Sequence, residues 1–106
     1  MGEEYPVTSS TAVVSTDAPV RYAKQLLAHL GRKNTVEVVE GAPDGGRLVF
    51  AYGIGTVRPE DGRLVLEAVA DDEEALARVQ DVLGRHLERF GARRELTVRW
   101  SSDDGG

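Results

Sequence analysis

A chain of 106 residues with 41% hydrophobic and 29% charged side chains has the composition of one small globular domain with a single shallow core. It has no cysteine, which excludes disulfides, thiolate metal sites and cysteine nucleophiles, and its formal net charge of −5 argues against a nucleic-acid surface. No apolar run approaches the ~20 residues of a membrane span, and the opening MGEEYPVTSS carries acids where a secretory leader has bases, so the expected location is cytoplasmic.

Residues 1–10 and 102–106 are polar and aperiodic and are expected to be flexible tails around one domain, 11–101. The β-branched run 11–15 predicts a strand. A helix follows to about Leu30, with Thr16 or Asp17 as its cap, Pro19 in its first turn and Gly31 as its stop. Residues 36–40 predict a second strand, and 41–46, rich in Gly and Pro, a loop. Leu48, Phe50 and Tyr52 alternate in a third strand over 47–52. Gly53 and Gly55 suggest a turn or bulge, and 56–58 an edge-like strand stopped by Pro59. The Asp61-Gly62 pair predicts a hairpin into a strand over 63–69.

Asp71, Asp72, Glu73 and Glu74 suit the positive end of a second helix. Its apolar stripe is Leu76, Val79, Leu83, Leu87 and Phe90, and Gly91 ends it. Gly84 in mid-helix costs roughly 1 kcal/mol against alanine and either admits a close neighbour or lies on the exposed side, and residues 96–101 form the last strand. The order β-α-β-β-β-β-α-β implies an α+β fold: a mostly antiparallel sheet with two helices packed on one face. The other face would then carry Val13, Val39, Val49, Val65 and Val69, an apolar patch suited to a homodimer.

In the first helix Val20, Ala23, Leu26, Leu27 and Leu30 form a core stripe, flanked by a ridge of Tyr22, Gln25 and His29. That ridge could line a groove, with His29 able to move protons near neutral pH. Amphipathic residues covering the rim of a core explain the same spacing. His86 falls inside the second stripe and is expected to be at least half-buried. The two histidines share no metal-binding spacing, so a metal would need distant acids or a second chain, and no metal or cofactor is assigned. The glycine-rich loops lack the residues of phosphate-binding motifs, and no serine has the setting of a nucleophile. No catalytic residue is assigned.

Arg21-Tyr22, Lys24-Gln25-Leu26, His29 and Lys33, followed by His86-Leu87, Arg89-Phe90, Glu95-Leu96 and Trp100, resemble the domain of unknown function 2218 family of small bacterial proteins, over about residues 11–100. Where the family pattern often has an aromatic and another histidine, this chain has Leu30-Gly31-Arg32. The resemblance implies no established activity. Related domains are joined to siderophore-interacting flavin reductases, which implies a role near siderophore-iron metabolism.

The expected function is therefore a non-enzymatic accessory or binding domain. Its candidate ligand-binding residues are Tyr22, Gln25, His29, Lys33, His86 and Arg89. The expected partner is a small ligand or a flavin-dependent siderophore reductase, with neither nucleic acid nor membrane. The alternatives are a small enzyme using His29 as acid and base, and a structural homodimer through the open sheet face.

Overall fold

The computed structural model describes residues 8–102. Six strands and two helices follow in the order β1 (Thr8–Ser15), α1 (Pro19–Leu30), β2 (Thr35–Val39), β3 (Ala42–Phe50), β4 (Gly53–Glu60), β5 (Arg63–Ala70), α2 (Glu73–Phe90) and β6 (Ser101–Ser102). One sheet contains all six strands in the order β2-β3-β4-β5-β1-β6, and every neighbouring pair is antiparallel. This is the expected α+β architecture, with α1 and α2 side by side on one face. Each helix joins two strands that run in the same direction but are not neighbours. β1 lies between β5 and β6, while β5, β4 and β3 lie between β1 and β2.

Strand alternation sorts the residues cleanly. Ala12 and Val14, Leu48 and Phe50, Val57, and Leu64, Leu66, Ala68 and Ala70 point at the helices. Against them pack Tyr22, Ala23, Leu26 and Leu30 of α1 and Leu76, Val79, Leu83 and Leu87 of α2. The α2 stripe is thus the predicted one. Its start is capped by Asp72, whose carboxylate accepts from the Ala75 N–H at 2.8 Å.

Several local expectations are corrected. β1 begins at Thr8, so residues 8–10 are strand instead of tail, with Thr8 and Ser10 buried. The rest of the two expected tails lies outside the described residues apart from Ser102, which belongs to β6. Ala18 occupies the cap position of α1 without a side-chain bond, while Thr16 accepts from the Ala18 N–H and Asp17 instead pairs with Arg94 at 2.9 Å. Residues 42–46 continue β3 up to the turn at Gly41, whose φ of +84° suits glycine. Tyr52 lies in the β3–β4 turn, its ring stacked 5.3 Å from Phe50.

β4 is neither short nor at the edge. It runs through Pro59 between β3 and β5, where Pro59 faces Leu64 just before the Asp61-Gly62 hairpin. Gly53 and Gly55 mark no bulge in the β3–β4 or β4–β5 register; they leave room for α2.

The predicted last strand is mostly something else. Among the described residues only Ser101 and Ser102 of this end pair with β1. Before them, Leu96, Val98 and Trp100 pack against the core's margin, and the Val98 N–H donates to the Glu88 carboxylate at 2.9 Å. Buried Gly84 lies beneath this segment, where an added β-carbon would sit 3.5 Å from Trp100 Nε1.

Candidate functional site

The structure divides the predicted site residues. Tyr22 is a core residue, 5% exposed, while Val20 of the predicted core stripe is 38% exposed. The buried face of α1 is therefore rotated from the one read from periodicity. A single helix pattern locates one apolar stripe; α1 packs on both the sheet and α2, so its buried side extends around to Tyr22. Gln25 and Lys33 are exposed and form no side-chain hydrogen bond or ion pair among the described residues.

His29 and His86 come together across the seam between the helices. Their ring centroids are 5.0 Å apart with the planes tilted by 43°. Phe90, one helical turn beyond His86, sets its ring edge-on to His29 at 5.7 Å and lies 6.5 Å from the His86 ring. No hydrogen bond joins the two imidazoles among the described residues.

His86 is half-buried and fixed by its own helix. Its Nδ1 lies 2.7 Å from the Val82 carbonyl oxygen. A carbonyl only accepts, so Nδ1 carries the proton and donates it, and the neutral ring keeps its lone pair on Nε2. His29 is exposed and has no such anchor. The pair thus joins one oriented imidazole with one free to adjust.

Beside His86 a shallow concavity runs along α2, lined by Asp81, Val82, Arg85, His86 and Arg89. His29 does not line it, and His86 is the residue common to the two features. Arg85 is paired with Asp81 at 3.1 Å. Arg89 has no ion-pair partner among the described residues and leaves the concavity with a free cation. Phe90 and Asp81 are not marked by the sequence as members of a site. Positions 82, 85, 86, 89 and 90 fall on one side of α2, with Asp81 one turn before Arg85, a grouping visible only once the neighbouring helix is known.

No carboxylate bonds to either histidine, and no group of three or more His, Cys, Asp or Glu capable of holding a metal converges among the described residues.

The open face of the sheet is mixed. Val13, Val49, Val65 and Val69 lie there as expected, whereas Val39 sits past a register shift beside the β2–β3 turn. Ion pairs interrupt the valines: Arg47–Glu37 at 3.3 Å, Arg58–Glu67 at 3.5 Å and Arg63–Glu60 at 2.9 Å. Val65, between Val13 and Arg58 in register, is only 6% exposed although no helix of the described residues covers that face.

A two-layer α+β domain with a histidine pair at its helix seam is the class these features define. The chain belongs to the family described as an uncharacterized protein conserved in bacteria, DUF2218, which matches residues 11–101. The NMR structure of PA4090 from Pseudomonas aeruginosa is similar at 28% identity and a TM-score of 0.73, covering 89% of this chain and 95% of that one. No curated protein matches. The family's description names no ligand, siderophore or iron. No helix of the described residues is long and apolar enough to cross a membrane.

Proposed function

We propose that the domain is a non-catalytic binding module that takes a small anionic ligand at the α1–α2 seam. The observation that carries this reading is the convergence of His29 and His86, 5.0 Å apart on different helices. Two imidazoles and the Phe90 ring offer flat apolar surface and unused ring nitrogens, and Arg89 supplies a positive charge beside them. Small-molecule sites combine apolar walls with a few placed polar groups in this way. The pairing of Arg85 with Asp81 leaves Arg89 as the free charge of the concavity.

The test is amide chemical-shift mapping of the domain with small di- and tricarboxylates, and with an iron-free and an iron-loaded carboxylate siderophore. The siderophore arms follow from the link that the family resemblance implies. Perturbations are expected around residues 29, 86, 89 and 90, with affinity at least tenfold weaker in His29→Ala and Arg89→Ala. Binding that ignores both substitutions removes this reading. Turnover of a bound compound, lost in His29→Ala, would favour the acid–base reading instead.

A further inference from the structure

We propose that the seam holds a late first-row divalent metal ion carried inside an anionic chelate, with His29 and His86 as its two protein ligands. This rests on the binding-module reading and names its ligand class.

The geometry supports shared coordination. Metal–imidazole bonds of about 2.0–2.1 Å place each ring centre roughly 3.2 Å from the ion, so two rings in neighbouring tetrahedral or octahedral positions have centres about 4.5–5.3 Å apart. The observed 5.0 Å falls in that interval. His86 is also prepared for the role. A ligating histidine commonly donates its other ring N–H to a carbonyl or carboxylate, which fixes tautomer and orientation. The bond from Nδ1 to the Val82 carbonyl does this and leaves Nε2 as the donor. Exposed His29 can turn to supply the second nitrogen.

The same surroundings determine what accompanies the ion. Two imidazoles do not fill a coordination sphere, and no third His, Cys, Asp or Glu of the described residues completes the group. The remaining positions therefore belong to a ligand that arrives with the metal. Arg89, unpaired beside His86, opposes a bare dication and favours a complex with net negative charge. Neutral imidazole donors select nickel, copper or zinc over a hard, oxygen-seeking ion.

The probe is the nickel complex of nitrilotriacetate, which is anionic and leaves two neighbouring coordination positions open. It is added to the tag-free chain, and paramagnetic broadening of amide signals is followed. Broadening centred on residues 29 and 86, with affinity reduced at least tenfold in His29→Ala and in His86→Gln separately, is the expected result. Thermal melts of both variants establish that they are folded; His29→Ala, at an exposed position, provides the test if His86→Gln unfolds. No broadening overturns the inference, as does broadening that survives loss of either histidine. Metal-free nitrilotriacetate binding as tightly as the nickel complex also overturns it, while leaving the anionic-ligand reading in place.

Discussion

A β-carbon on Gly53 would lie 2.7 Å from a methyl of Val79 and 2.6 Å from the Val69 carbonyl oxygen. The strand and α2 are thus closer there than any side chain on β4 would allow. Gly55 stands in the same relation to Leu83, at 2.8 Å. Gly53→Ala is expected to destabilise the domain by about 1–3 kcal/mol, as overpacking does, because a carbonyl oxygen cannot move aside as a side-chain tip can. A melting temperature equal to that of the unsubstituted chain would show that both the β5 backbone at Val69 and α2 give way freely.

Gly84 makes the opposite prediction. An added β-carbon there meets Trp100 Nε1 at 3.5 Å and the Val98 side chain at 3.6 Å, ordinary contact distances. Replacing a mid-helix glycine gains about 1 kcal/mol of helix propensity, and for a domain of this size that raises the melting temperature by about 4–8 °C. Gly84→Ala should show this rise; a fall would mean that the segment before β6 is packed more tightly than these distances indicate.

Tyr22 and Gln25, neighbours on one predicted ridge, should separate in a stability measurement. Tyr22→Ala removes a buried ring and is expected to cost about 3–5 kcal/mol. Gln25→Ala changes an exposed side chain and should stay within about 0.5 kcal/mol. Equal, small effects in urea unfolding would restore the ridge as a surface feature.

Asp72 caps α2 through the Ala75 N–H. Asp72→Ala should cost about 1 kcal/mol, read as a lower denaturant midpoint with an unchanged slope. Asp71→Ala, whose side chain forms no hydrogen bond or ion pair among the described residues, should have a smaller effect.

The open sheet face predicts a monomer. Its valines are divided by three ion pairs, and a stable dimer would have to cover charged side chains together with them. Sedimentation at high concentration is expected to give a single species of one chain. A dimer abolished by Val13→Lys would establish the sheet-face interface.

What could be read from the sequence follows the range of each signal. The α2 stripe and the Asp61-Gly62 hairpin are local patterns, and both appear where the residues place them. Residues 42–46 looked like a loop because Pro and Gly discourage strands, yet pairing with β2 and β4 holds parts of this stretch in the sheet. The face of α1 was misplaced at Tyr22 and Val20 because a second helix beside it cannot be inferred from its own period. The sequence puts His29 and His86 in one candidate set but gives no distance between them, because they stand on two helices and no spacing within one segment relates them.

The pairing of β1 with β6 sets Ser10 opposite Ser102, near the two ends of the described chain. Antiparallel neighbours lie about 4.8 Å apart, so the described segment starts and stops at the same end of two neighbouring strands. Such an arrangement suits a cassette: the domain can be spliced into a surface turn of a host protein with little strain on either flank, and with its helix seam on the layer away from the sheet's open face.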